Sequence, residues 1–373
     1  MHFLEDEHKA LTHFFPGLDA MLTRSSLLER EKHGSSSIAT FREFGGPALL
    51  VASKHGGLGA TVVEALRIQR AIGSLSPSLA VATTMHHFSV MTIVEMARTE
   101  QDLALLQDIA RHKLYVASGF AEGRTDMNIL SSYLKVERTE GGLLVSGSKK
   151  PCSLSASMNI LTASALVPGE QGEADKLAVL VIPADSAGME RRSYWNNWVL
   201  SGAESDELLL NNVFVPNEYI SYLGESDTID NVQAKGFIWF ELLISASYLG
   251  MASALVERVI SSKKGMETER TLLAIETESA MSALEGVSQV LAQAVCGERE
   301  VARTLLVRYG VQSATARISA HAAELLGGMN FVNSSETTYL LAASRGLAFH
   351  PPSRINISAS MDKYLAGKSF VIG

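Results

Sequence analysis

One acidic side chain stands alone in a long apolar stretch of the sequence. Glu241 is the only charged residue in Gly236 to Val256, GFIWFELLISASYLGMASALV. A helix that is apolar nearly all round is buried on most faces, and burial raises the pKa of a carboxyl group, which suits it to act as a general base near neutral pH. A buried ion pair with an arginine of another helix, such as Arg303 or Arg317, explains the same residue equally well. Both interpretations of Glu241 stay open at this point.

A second candidate is His350, which lies in the segment RGLAFHPPSR at 345–354. The two prolines that follow it end the preceding helix and stiffen the loop, so the histidine is held in a fixed place. It can be a surface residue or it can face an active site. The pair His86-His87 is different, because adjacent residues on a helix do not face one site, and we interpret it as structural.

Other motifs offer less chemistry. Two cysteines, Cys152 and Cys296, provide neither a disulfide framework nor a metal cluster, and no metal is expected. Gly56-Gly57-Leu58-Gly59 lacks the GxGxxG spacing and the lysine of a phosphate-binding loop. It predicts a plain loop, after which Thr61 can cap a helix over Val62–Ile72.

The composition narrows the class of protein. The chain has 373 residues, of which 46% are hydrophobic, and a net charge of −8, which disfavours a nucleic-acid partner. Its start, MHFLEDEHKALTHFF, is acidic and amphipathic, unlike a signal peptide. The stretch around Glu241 has the length of a membrane span, but its glutamate, three serines and two glycines favour a core helix. We expect a cytoplasmic protein without a membrane partner.

The hydrophobic pattern predicts an α+β fold in three domains: helices over 1–112, a β-barrel or sandwich over 113–222 and a four-helix bundle over 223–373. Strand-like runs cover Leu114–Gly119, Ser132–Glu137, Leu143–Ser146 and Asn159–Leu166, and the segment 208–216 closes the middle domain. Helical patterns cover Leu79–Ala97 and, in the bundle, 231–262, 268–296, 298–326 and 335–347.

Four segments resemble motifs of the acyl-CoA dehydrogenase family: FAEGRTD at 120–126, SGSKKPCS at 146–153, VFVP at 213–216 and ELLGGMN at 324–330. The resemblance extends over nearly the whole chain and implies a bound FAD, whose ring is expected against Phe120, Ala121 and Ser153. The further cofactor-binding residues that it implies are Thr125, Cys152 (as a packed neighbour and not a nucleophile), Glu324, Gly327, Gly328 and Arg345. In the family, the Gly-Gly turn meets FAD across a subunit interface, so a homodimer or homotetramer is expected.

The resemblance implies oxidation of an acyl thioester, in which a glutamate takes the α-proton and flavin N5 takes the β-hydride. The family's C-terminal Tyr-Glu-Gly-Thr loop is replaced here by the segment around His350, which makes Glu241 the leading base. Aligning Leu249-Gly250 with the family's Leu-Gly, however, places Phe240 at the helix-borne glutamate position. The departures from the family pattern suggest a hydroxy- or aminoacyl group on an acyl carrier protein or CoA, as in secondary-metabolite pathways, with the electron acceptor left open.

Two alternatives stand beside the dehydrogenase. The loop at His350 resembles the flavin monooxygenases of the same fold, which use reduced flavin and oxygen at carbon or nitrogen. A non-redox member that binds a flavin or an acyl partner is the third reading.

Overall fold

The computed structural model describes residues 2–123, 131–169, 174–225 and 229–370. Its first part consists of helices α1 (Glu5–Phe14), α2 (Leu18–Leu22), α3 (Leu27–Arg30), α4 (Ser37–Glu43), α5 (Val62–Leu75), α6 (Pro77–Met96) and α7 (Glu100–His112). Helix α5 begins where the sequence predicts. The Thr61 hydroxyl accepts from the Glu64 N–H at 3.3 Å, and the Glu64 carboxylate accepts from the Thr61 N–H at 2.8 Å, which is a capping box.

Within the described ranges, eight strands follow and form two four-stranded sheets. They are β1 (Val116–Gly119), β2 (Lys135–Thr139), β3 (Gly142–Cys152), β4 (Ile160–Val167), β5 (Lys176–Pro183), β6 (Met189–Arg192), β7 (Asp206–Pro216) and β8 (Ile220–Glu225). One sheet has the order β1-β4-β5-β8 and the other β2-β3-β7-β6. Among the described strands, β1 and β4 pair in parallel with Val116 opposite Ile160, and the other neighbours are antiparallel.

The last part of the described chain is helical again. It contains α8 (Asn231–Ser261), α9 (Glu267–Ser288), α10 (Glu298–Leu326), α11 (Gly328–Asn333), α12 (Ser335–Ala343) and α13 (Arg354–Leu365), with a 3-10 helix at Ser344–Phe349. The predicted α+β class is confirmed. Helix α13 was not predicted, and the domain boundaries at 112 and 222 stay a prediction.

Helix α8 is the centre of the helical part. It packs against α5, α6, α9, α10 and α12, which explains why its sequence is apolar nearly all round. An 18-residue window of α8 is apolar enough to cross a membrane, yet 94% of that window is buried inside the protein. This burial is what a core helix requires.

Two glycines let α8 approach α5 backbone to backbone. A Cβ on Gly250 would lie 2.2 Å from the carbonyl oxygen of Arg70, and a Cβ on Gly73 would lie 2.2 Å from that of Ser247. Only a residue without a Cβ fits at this distance, so the two glycines set the position of α8 and of the side chains it carries.

Candidate active site

The ends of β1 and β3 meet and form a small junction at 118–121 and 150–153. The Lys150 N–H donates to the carbonyl of Ala121 at 2.9 Å, and the Cys152 thiol donates to the carbonyl of Ser118 at 3.3 Å. Phe120 and Ala121 are thereby brought beside Cys152 and Ser153, as the family resemblance implied. Thr125, also implied, lies at 124–130, outside the described residues.

Within this junction the serine and the cysteine differ in what they can offer a ligand. The Ser153 hydroxyl is 2.9 Å from that of Ser205, so two hydroxyls stand together at the end of β3. Cys152 is fully buried, and burial raises the pKa of its thiol to about 12. Its side chain is therefore an inert packed neighbour, and its cofactor contact stays a prediction.

A buried ion pair lies under the junction. The Lys149 ammonium donates to the Glu122 carboxylate at 2.6 Å, which also accepts from the Ser132 hydroxyl at 2.8 Å and the Tyr133 N–H at 2.9 Å. Burial raises the pKa of Glu122, but Lys149 and these donors outweigh it and the pKa is lowered. The pair links the residues on both sides of the segment 124–130 to strand β3. This ion pair was not predicted from the sequence.

Three phenylalanines from three parts of the chain form an aromatic cluster beside the junction. The Phe120 ring lies 6.0 Å from Phe88 of α6, and Phe88 lies 5.3 Å from Phe240 of α8. Phe240 in turn contacts the imidazole of His350, at 6.0 Å between ring centroids. The fold therefore brings the predicted cofactor residues and His350 to the same region.

His350 is held as a neutral, partly buried imidazole. Its Nε2 is 2.9 Å from the Tyr248 hydroxyl. Burial, with the nearby Arg308 guanidinium, lowers the pKa of His350 to about 3. Of its two sequence-based interpretations, the structure favours a residue that faces the site, while its catalytic role stays a prediction.

The Glu241 side chain of α8 faces Arg308 of α10. Its Oε2 lies 3.1 Å from Nε of Arg308, and both side chains are fully buried. Burial raises the pKa of Glu241 to about 7 although Arg308 opposes the shift. An ion pair is thus confirmed, but its partner is neither Arg303 nor Arg317. Both of these arginines are exposed, and Arg317 pairs with Glu276.

Phe240 and Glu241 are adjacent in α8, so their side chains lie about 100° apart round the helix. Phe240 contacts both the Phe88 ring and His350, and its place at the helix-borne glutamate position of the family stays a prediction. The role of Glu241 as a base stays a prediction, and its carboxylate is fully buried.

The remaining cofactor candidates lie at the protein surface. Glu324 is exposed near the end of α10, and Arg345 is exposed in the 3-10 helix before His350. Gly327 has a φ of +86°, and a Cβ on Gly327 or Gly328 would meet no atom within 4 Å. Their contact with a cofactor, and the oligomer that the resemblance implies, stay predictions.

The residues at the junction fit a flavin. The aromatic cluster offers an apolar face for a planar ring, while the hydroxyls of Ser153 and Ser205 and the main chain at 120–121 offer a few fixed polar groups. Among the described residues, no three His, Cys, Asp or Glu side chains lie together as metal ligands.

Comparisons with known proteins identify the family of the chain. No family model matches the sequence. Isobutylamine N-hydroxylase of Streptomyces viridifaciens is 42% identical over 374 residues, which cover 98% of this chain and 99% of that protein. Mitochondrial isovaleryl-CoA dehydrogenase of Oryza sativa subsp. japonica is 19% identical over 357 residues, 90% of this chain and 85% of that protein.

The fold also matches solved flavoproteins. FMN-bound TdsC from Paenibacillus sp. A11-2, a dibenzothiophene monooxygenase, superposes with a TM-score of 0.82 at 15% identity and covers 99% of both chains. The resemblance of the sequence motifs to this family is therefore confirmed, and the similarity extends over nearly the full length of the chain. The chain belongs to the acyl-CoA dehydrogenase-like family of flavin-dependent enzymes, which includes isobutylamine N-hydroxylase.

Proposed function

We propose that the protein is a flavin-dependent monooxygenase that hydroxylates the nitrogen of a primary aliphatic amine. The observation that carries this proposal is the 42% identity to isobutylamine N-hydroxylase over 98% of the chain. The first prediction from the sequence was the oxidation of an acyl thioester. This proposal replaces it with the alternative prediction, a flavin monooxygenase.

The position of Glu241 supports the same choice. Dehydrogenation of an acyl thioester needs a base within reach of the substrate α-carbon. The carboxylate of Glu241 is fully buried and faces Arg308 instead. Hydroxylation at nitrogen needs no base at carbon, so a buried, paired Glu241 is compatible with it.

The reaction balances with one oxygen molecule and one two-electron donor. A bound reduced flavin would supply the two electrons with which one oxygen atom leaves as water while the other is inserted into an N–H bond. The product is R–NHOH. The amine must attack as the free base, since a protonated nitrogen has no lone pair.

The residues of this chain have separate tasks in that reaction. The aromatic cluster of Phe88, Phe120 and Phe240 excludes water from the reacting atoms. Ser153 and Ser205 offer hydrogen bonds to the polar edge of the flavin. His350, neutral because burial and Arg308 lower its pKa, offers a hydrogen bond without adding a positive charge to the site.

The experiment supplies the purified protein with FMN or FAD, a flavin reductase, NADH, oxygen and isobutylamine, and measures N-hydroxyisobutylamine by mass spectrometry. The expected result is product that requires both oxygen and reduced flavin. FAD is the cofactor that the sequence implies, whereas FMN is bound in TdsC, so both flavins are compared. Bleaching of oxidised flavin by an acyl thioester without oxygen, and no hydroxylamine, would favour the dehydrogenase instead.

A further inference from the structure

We propose that Arg308 is a positioning residue for the proposed reaction: with Glu241 as its buried counterion, it fixes the loop that places His350 beside the aromatic cluster. This inference rests on the proposed function and names a part of the site that neither the sequence motifs nor the comparisons assign. It concerns a side chain that is itself fully buried.

The hydrogen bonds of Arg308 converge on the loop. Its Nη2 atom donates to the carbonyls of Leu347 and His350, both at 2.9 Å, and Nη1 donates to the Gln312 side chain at 2.8 Å. One rigid guanidinium therefore spans the two ends of the turn at 347–350. A lysine has a single nitrogen and cannot reproduce this planar arrangement.

The next residue of α10 holds the same loop further along. The Tyr309 hydroxyl donates to the carbonyl of Pro352 at 2.9 Å. Two successive side chains of one helix thus fix the backbone on both sides of His350. The loop has little freedom to move relative to α10.

Glu241 makes the buried guanidinium possible. A charge without a partner inside a protein is strongly destabilising, and Oε2 of Glu241, 3.1 Å from Nε, provides the opposite charge. This explains why the apolar stretch contains one buried carboxylate. The carboxylate holds the arginine, and the arginine holds the histidine loop.

Tyr248 then fixes the proton on the imidazole. Its hydroxyl is buried, and its partner is Nε2 of His350 at 2.9 Å. If Nε2 carried the proton, the tyrosine proton would have no acceptor among the described residues, which is costly for a buried group. Tyr248 therefore donates to Nε2, and the imidazole proton lies on Nδ1, where it can serve as a hydrogen-bond donor.

The test removes the ion pair as a unit. In Glu241→Leu/Arg308→Met no charge is stranded, and replacing a buried pair by apolar residues of similar volume is often tolerated. We expect a folded protein that binds flavin within about twofold of wild type, while kcat falls by about 10²-fold, as for an active-site group misplaced by about 1 Å. The KM for the amine changes little, and reduced flavin is oxidised to give hydrogen peroxide instead of product.

Arg308→Lys provides a second variant, because it keeps the charge beside Glu241 but loses the two bonds to the loop. It is expected to show the same loss of kcat and the same release of hydrogen peroxide. The matched control is Glu276→Leu/Arg317→Met, which removes an exposed pair between α9 and α10 and is expected to keep wild-type turnover. Wild-type kcat and coupling in the folded double variant at 241 and 308 would overturn the proposal.

A measurement that does not depend on catalysis tests this inference independently of the proposed function. Nitrogen-15 NMR of histidine-labelled protein, with His350→Gln used to assign the resonance, reports the tautomer and pKa of His350. We expect a neutral Nδ1–H imidazole in the wild type and a titration nearer the ordinary histidine range in the double variant. If no amine is hydroxylated, the proposed function fails, but an unchanged His350 signal in the double variant is what would overturn the positioning role.

Discussion

Arg308→Met leaves the Glu241 carboxylate buried without its counterion, and the loss of stability is expected to depend on pH. Breaking a buried pair by removing one partner costs about 3–5 kcal/mol. For 373 residues, an unfolding entropy of about 2.1 cal/mol/K per residue gives about 0.8 kcal/mol/K, so Tm should fall by about 4–6 °C near pH 8.

The sign of the pH dependence follows from the two causes of the Glu241 shift. Burial raises the pKa of Glu241 to about 7, and Arg308 lowers it, so loss of Arg308 raises the pKa further. A carboxyl whose folded pKa is raised keeps its proton in the folded state, and its penalty grows as pH rises through that pKa. At pH 8, one unit above the wild-type value, the extra penalty is about 1.4 kcal/mol, or about 2 °C in Tm, and it disappears near pH 5.

Differential scanning calorimetry at pH 5 and pH 8 measures both the overall loss of stability and its pH-dependent part. Arg317→Met is the control, because its exposed pair with Glu276 contributes about 0–1 kcal/mol, and it should lower Tm by little more than about 1 °C at either pH. An equal loss for Arg308→Met at the two pH values, or a larger loss at pH 5, would refute the buried ion pair as the source of the effect.

Three further predictions concern other parts of the fold. Gly250→Val should lower the free energy of unfolding by at least about 2 kcal/mol, because its Cβ would meet a carbonyl of α5 at 2.2 Å. The control Gly286→Ala, on an open helix face, should raise it by about 0.5–1 kcal/mol in urea unfolding. Lys149→Met leaves Glu122 buried without its cationic partner. It should lower the free energy of unfolding by about 3–5 kcal/mol and weaken flavin binding in a fluorescence titration. Unchanged flavin affinity would show that the ion pair does not support the flavin site. Cys152, with its thiol pKa raised to about 12 by burial, should not react with a thiol reagent until the protein unfolds, and rapid labelling of the native protein would contradict its packing.

Local patterns were enough to predict much of the fold. Thr61 and Glu64 determine the start of α5 within four residues of chain, and the apolar run around Glu241 is a buried helix in the structure. Strand β5, KLAVLVIP, was not predicted, because it is buried at nearly all positions and so lacks the alternation that marks a half-exposed strand. Its apolar run is equally compatible with a short buried helix.

The ion-pair partner of Glu241 could not be read from the sequence because it depends on how α8 and α10 pack. Arg303, Arg308 and Arg317 all lie on α10, and at about 100° per residue Arg317 lies about half a turn round the helix from Arg308. Only one of them can face α8, and the tertiary structure decides which. The same holds for Phe88, which joins Phe120 to Phe240 across parts of the chain that are distant in sequence.

The most direct test of the proposed function is the origin of the oxygen atom in the product. Purified protein is supplied with reduced flavin, isobutylamine and ¹⁸O₂ in ordinary water, and the product is analysed by mass spectrometry. Amine N-hydroxylation predicts N-hydroxyisobutylamine that carries one ¹⁸O atom, formed only when oxygen and reduced flavin are both present. A protein that binds flavin but forms no hydroxylamine, and whose oxidised flavin is instead reduced by an acyl thioester in the absence of oxygen, would contradict it.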